Sequence, residues 1–170
     1  MSTSRDTSPF DTLKKPTEIK AAYYLVGKKI TATLINPFGD GENRQYEANK
    51  PPLGSREDIN GHWIETDQGV DIQVHSMAPV LFDLKEIPGH IFIYCKEPPS
   101  PPIGNFPLPN RYFSIISDIP FSGRHEHTNG VISIVSLKPG QFQGGFEVQK
   151  DSDGKGVDII NGQFDIVFSA

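Results

Sequence analysis

The chain has 170 residues, of which 36% are hydrophobic and 22% charged, a composition typical of one folded domain rather than a disordered segment. Its formal net charge of −5 and pI near 5.5 argue against binding nucleic acid or an anionic membrane through a broad basic face. The 16 Gly and 15 Pro predict many turns and short elements rather than long helices.

The N-terminal residues are polar and rich in Ser and Thr, which predicts a flexible arm over residues 1–16 and a single β domain over residues 17–170. The arm shows no apolar core of a secretory signal, and no stretch approaches the roughly 18 apolar residues of a membrane span. We therefore expect a chain that is cytoplasmic, or exported without a visible N-terminal signal.

Alternating apolar residues predict the first strands. Residues 28–36 alternate in this way and are expected to form a strand, whereas residues 17–26 fit either a short helix or a strand. Further along the chain, "VDIQVHS" places one apolar set on a single face of a strand, namely Val70, Ile72 and Val74.

Turn signals separate the remaining runs. The Asp-Gly or Asn-Gly pairs at 40–41, 60–61, 129–130, 153–154 and 161–162 predict two-residue hairpin turns. "HIFIYC" and "VISIVSL" are apolar on both faces, which predicts central strands. The last run places Phe164, Ile166 and Phe168 on one face, and Gly144-Gly145 predicts a bulge or a close approach of strands.

These patterns predict an all-β, mostly antiparallel β-sandwich or barrel of about 8–10 short strands. At most one or two short helical turns are expected, one of them in "SREDINGHW" with Ser55 as its cap. The proline-rich segment 95–110 is either a stiff crossover whose Phe106 and Leu108 pack back on the body, or a PxxP ligand for a partner. Its first residue, Cys95, is the only cysteine and is expected to be a small buried apolar residue.

"RHEHTNG" offers candidate metal ligands. A hairpin turn at Asn129-Gly130 would place His125 and His127 on one face of the sheet, beside Ile132 and Ile134 on the opposing strand, and Glu126 on the other face. Imidazoles at alternate strand positions can bind one divalent transition metal if another strand supplies a third ligand.

The first candidate for that third ligand is His75, followed by His90, Asp71 and Asp118. Two other interpretations need no metal: the histidines are polar strand ends near a turn, or they hydrogen-bond a ligand in a pocket. No cofactor is expected, and a divalent transition metal is the alternative.

The only tryptophan, Trp63, follows a turn signal and could stack on a sugar ring or anchor a protein partner. With His62, Tyr46 and Arg44 it is predicted to form a ligand-binding rim. The alternative is a Trp63 side chain in the core, in which case replacing it would unfold the chain.

No complete catalytic motif, phosphate-binding loop or C-x-x-C pair is present. The first hypothesis is therefore a non-enzymatic domain that binds a protein, glycan or small molecule through its loops. The second is a metal-dependent β-barrel enzyme with His125 and His127 as metal ligands. The third is an assembly subunit whose N-terminal arm pairs with the sheet edge of a neighbour.

Overall fold

A computed structural model describes residues 18–49 and 59–169, and this part of the chain contains strands and turns but no helix. The eleven strands are β1 (Ile19–Ile35), β2 (Arg44–Ala48), β3 (Ile59–Thr66), β4 (Gly69–Phe82), β5 (Lys85–Lys96), β6 (Gly104–Leu108), β7 (Phe113–Ile119), β8 (Gly123–Glu126), β9 (Gly130–Lys138), β10 (Gln141–Val148) and β11 (Asp158–Ser169).

All strands belong to one antiparallel sheet with the order β6-β9-β10-β11-β1-β3-β4-β5-β7-β8. β2 lies off this path because β2 and β3 share one edge of β1. The first part of β1 pairs with β3 through Ile19–Tyr24, and its later part pairs with β2 through Ile30–Leu34 on the same edge. β11 occupies the other edge of β1.

The sheet curls around one hydrophobic core, to which the inner face of almost every strand contributes. Trp63 of β3 contacts Phe168 of β11, with ring centroids 5.9 Å apart. Near the two ends of the sheet, Phe106 of the edge strand β6 lies 4.9 Å from Phe113 of β7. Side-chain packing thus brings the ends of the curled sheet together.

The all-β prediction is confirmed, and the alternating runs bury the expected residues. Residues 28–36 fall almost wholly within β1, and the ambiguous stretch before them is strand from Ile19 onward. Ile72, Val74, Phe164, Ile166 and Phe168 are all buried, as the period of two predicts. Of the two roles expected for Gly144-Gly145, the close approach of strands is present, since a Cβ at Gly144 would stand 2.1 Å from the carbonyl oxygen of Ser133. The bulge beside it lies on β9, where Val135 has no partner.

The predicted strand number was too low, and none of the five predicted two-residue hairpin turns forms, since Asp40-Gly41 and Asp153-Gly154 lie in longer loops. Asn60-Gly61 lies inside β3, and Asn161-Gly162 lies inside β11. Asn161 uses its tolerance of positive φ (54°) in a β-bulge instead of a hairpin. Gly61 serves a close approach, since a Cβ there would stand 2.2 Å from the carbonyl oxygen of Gln73.

Strands β4 and β5 turn at Asp83-Leu84, where both residues have positive φ (50° and 63°) without any glycine. The proline-rich segment contains the short edge strand β6, and both Phe106 and Leu108 pack on the core as expected. Ser55 and the first part of the predicted helical turn lie outside the described residues. The last part of that segment, 59–63, is strand. The predicted N-terminal arm also lies outside the described residues.

Candidate functional site

The hairpin predicted at Asn129-Gly130 is wrong. β8 pairs with β7, while β9 pairs with β10 and β6 on the far side of the sheet order. Gly130 has φ 144°, and a Cβ there would lie 2.3 Å from the carbonyl oxygen of Glu147. This glycine therefore permits a close approach to β10 rather than a tight turn.

The shared face of the two histidines is nevertheless confirmed. His125 opposes Ser117 in the β7–β8 ladder, on the inner face, and Glu126 is exposed on the outer face. His127 is 2% exposed, and its Nε2 lies 2.8 Å from the Oγ of Ser117. The imidazole centroids of His125 and His127 are 5.0 Å apart with perpendicular rings.

Burial controls the protonation of His127. Together, burial and then the neighbouring His125 lower the pKa of His127 to about 4, whereas the backbone of Gln149 and the carboxylates of Asp151 and Asp158 act in the opposite direction. His127 is consequently neutral at pH 7. Its Nδ1, like the Nε2 of His125, lacks a hydrogen-bond partner in the described part of the chain, although His125 Nε2 lies 3.6 Å from the carboxylate of Asp151.

The proposed third metal ligands lie elsewhere. His75 is on the outer face of β4, with its ring 4.2 Å from Phe92 and 5.6 Å from His90. Its pKa is lowered, first by burial and then by His90 and Arg124. Asp71, His90 and Asp118 share that outer face. Since His125 and His127 point inward, the structure does not bring His75 to them, and within residues 18–49 and 59–169 no group of three His, Cys, Asp or Glu side chains could hold a metal ion.

The predicted rim residues are also separated. Trp63 is 4% exposed in the core, with its Nε1 donating to Glu65 Oε2 at 3.1 Å. Tyr46 is 1% exposed, and its hydroxyl lies 2.8 Å from the Oγ of Ser76. His62 lies half-buried on the outer face, 3.9 Å from Asp71. Of the four predicted rim residues, only Arg44 lies beside a loop at an end of the sheet.

Arg44 stands beside an aromatic cluster that the sequence patterns did not reveal. Phe38 lies in the β1–β2 loop, Phe82 is the last residue of β4, and Phe121 lies in the β7–β8 turn. The three rings contact one another edge to face, with centroids 4.8, 5.0 and 5.5 Å apart. Phe121 is 73% exposed, and the neighbouring hairpin residue Leu84 is 94% exposed. We call these four side chains the Phe tip.

Phe121 occupies an unusual backbone position. Residues 119–122 form a turn in which the amide of Ser122 donates to the carbonyl of Ile119 at 3.1 Å. Pro120 stands second, and Phe121 stands third with φ 71°, a position that type II turns reserve for Gly or Asn. A bulky residue held there is strained by roughly 1–3 kcal/mol, and such strain is concentrated at functional sites.

Arg44 connects the loops that carry the Phe tip. Its guanidinium lies 5.1 Å from the Phe38 ring, and its Nε donates to the carbonyl of Leu81 at 2.7 Å. It also forms a 2.6 Å ion pair with Asp40. The Arg44 hydrogen bond holds the pKa of Asp40 below its usual value. The loop between β1 and β2 is thus tied to the β4–β5 hairpin.

The β1–β2 loop and the β4–β5 hairpin, with the first residues of the strands that follow them, are mainly acidic. They carry four exposed carboxylates, those of Asp40, Glu42, Asp83 and Glu86, which outnumber the two cations Arg44 and Lys85. Arg44 is already paired with Asp40. The Phe tip is therefore an exposed apolar surface with an acidic border.

No protein-family model, curated protein or solved structure matches this chain. Within residues 18–49 and 59–169 there is no helix long and apolar enough to cross a membrane.

Proposed function

We propose that this chain is a non-enzymatic domain that binds a protein partner through the Phe tip. The observation that carries this proposal is the contact of three Phe side chains from two loops and the end of β4, with Phe121 largely exposed. Aromatic residues fixed in a cluster are typical binding hot spots, because little side-chain freedom remains to be lost on association. A sandwich or barrel suits this role, because a rigid sheet presents its loops at one end.

The chemistry of the tip favours one kind of partner. Burying an exposed Phe side chain contributes roughly 1.5–3 kcal/mol, so Phe121 with Leu84 can anchor an apolar segment. The acidic border fits a partner whose apolar anchor is flanked by Lys or Arg. The same border disfavours an anionic lipid surface, and it disfavours a second copy of the chain, whose acidic border would face this one.

The metal-dependent alternative has less support. His125 and His127 share the inner face, but their expected partners lie on the outer face of the sheet. Their site would need a ligand that the described residues do not provide.

A peptide-display selection tests the proposal. The full chain is immobilised, a random-peptide library is selected on it, and the dissociation constants of enriched peptides are measured against wild type, Phe121→Ser and Val26→Ser. Val26 is the matched control because it is 62% exposed and lies on β1, away from the tip. We expect peptides with an apolar anchor next to Lys or Arg, bound at least about tenfold more weakly by Phe121→Ser and unchanged by Val26→Ser.

Three results would overturn it. One is an enriched set of peptides whose binding is the same for Phe121→Ser and wild type. Another is cosedimentation of the wild type, but not of Phe121→Ser, with phosphatidylcholine vesicles, which would make the tip a lipid anchor. The third is a concentration-dependent dimer in sedimentation velocity that Phe121→Ser abolishes.

A further inference from the structure

A groove of about 710 Å³ lies on the outer face of β1, β9, β10 and β11. Its volume is in the range of small-molecule sites. Each of these four strands has a neighbour on both sides in the sheet, and the central strands β10 and β11 are paired along both edges.

Glycine and two bulges make the groove concave. Gly145 points outward at the middle of the face, where any other residue would place a side chain. The register between β9 and β10 shifts at Val135, and the register of β11 shifts around Asn161, whose φ is 54°. Bulges redirect neighbouring side chains and are common beside functional sites.

Five polar side chains line the groove together with apolar ones, and in the described part of the chain their hydrogen-bonding groups have no partner. The amides and hydroxyls that line the groove belong to Thr31, Ser133, Gln143, Asn161 and Gln163. None of these five side chains hydrogen-bonds to another described residue. By contrast, the polar side chains in the loop between β1 and β2 satisfy one another, as in the 2.7 Å bond from the Gly41 amide to Asn36 Oδ1.

We propose that this groove binds a neutral oligosaccharide. Amide and carboxylate groups held on neighbouring strands can bond pairs of adjacent sugar hydroxyls, and Asp165 and Glu147 supply the carboxylates. Val131 and Val135 offer apolar surface to the C–H face of a sugar ring. The two carboxylates outnumber the single lining cation, Lys29, which disfavours an anionic ligand.

The groove suits a peptide less well. A peptide that adds to a sheet needs a free strand edge, and the central groove residues Gln143, Gly145 and Gln163 are paired on both sides. The lining also lacks an apolar pocket for an anchor side chain, since its aromatic members, Phe146 and Phe164, are 3% and 2% exposed. Because no exposed ring stacks on the sugar, we expect dissociation constants in the millimolar range.

Titration of the ¹⁵N-labelled full chain with cellotetraose, maltotetraose, mannotetraose and chitotetraose tests the proposal by NMR. We expect at least one of the four to move the backbone amides of Ser133, Gly145 and Gln163. Gln143→Ala and Gln163→Ala should weaken that binding at least about fivefold, by loss of hydrogen bonds to the ligand. Gln73→Ala is the matched control, because Gln73 lies on the outer face of β4, away from the groove.

The proposal fails if none of the four oligosaccharides moves the groove amides at millimolar concentration. It also fails if the shifts lie at the Phe tip, or if Gln143→Ala and Gln163→Ala bind as tightly as wild type. Amide shifts at the groove caused by an extended peptide, with no response to any oligosaccharide, would assign the groove to a peptide instead. Binding at the Phe tip is measured separately, by comparing the peptide affinities of wild type and Phe121→Ser.

Discussion

His127 makes the stability of this protein depend on pH, and His127→Gln is expected to reduce that dependence. The imidazole is 2% exposed, and its pKa is lowered from 6.5 to about 4, mainly by burial. Below about pH 6.5 the unfolded chain binds a proton that the folded chain does not, so the free energy of unfolding falls as the pH falls. The loss is complete near the folded pKa of about 4.

The size of the effect follows from the pKa difference. A shift of about 2.5 units corresponds to roughly 3 kcal/mol in full, of which about 2 kcal/mol is already lost at ~pH 5. Gln at position 127 does not titrate and can still reach the Oγ of Ser117, which lies 2.8 Å from Nε2 in the wild type. The variant should lose about 2 kcal/mol less than wild type between ~pH 7.5 and ~pH 5.

Urea unfolding followed by the fluorescence of the buried Trp63 measures this difference at each pH. Ser117→Ala is the control: it removes the hydrogen bond to Nε2 but leaves the imidazole buried, so it should lower stability at all pH values and keep the wild-type slope. If His127→Gln showed the same pH dependence as wild type, the reasoning from burial would be refuted.

Three further predictions concern single positions. The free energy of unfolding of Phe121→Gly, measured in urea, should lie within about 1 kcal/mol of the wild-type value. Relief of roughly 1–3 kcal/mol of backbone strain should offset the loss of two ring contacts of roughly 0.5–1.5 kcal/mol each. A loss of stability well above ~2 kcal/mol would show that the Phe121 side chain is needed for folding. Trp63→Ala should lower the free energy of unfolding, followed by circular dichroism, by about 3–5 kcal/mol, as expected for a buried aromatic side chain. Unchanged stability would place Trp63 outside the core. Cys95 is 1% exposed, and burial together with Asp71 raises its pKa to about 12, so a thiol reagent should label it only after unfolding. Equal labelling rates for the native and unfolded chain would contradict that placement.

Much of the fold could be read from local pattern. A strand alternates its side chains with a period of two, so the sequence alone sorts Ile72 and Val74 to one face and His75 to the other. The same period predicted that His125 and His127 share a face while Glu126 does not. Local periodicity carries this information because it depends only on neighbours in the chain.

Strand pairing depended on distant parts of the chain. The same type of dipeptide forms a turn at Asp153-Gly154, a bulge at Asn161-Gly162 and a close strand contact at Gly130. A tolerance of positive φ or of close approach is a local property, but the use made of it depends on which strand arrives alongside.

The Phe tip was beyond sequence reasoning for the same reason. Phe38, Phe82 and Phe121 are about forty residues apart in the chain, and an isolated Phe is by default expected in the core. Pro120-Phe121 was the one local signal, since proline at the second turn position leaves Phe at the position that favours glycine. The sequence thus determined which face of each strand is buried, because that follows from neighbouring residues, whereas the tertiary structure alone decided which loops meet, because loop positions follow from pairings between distant strands.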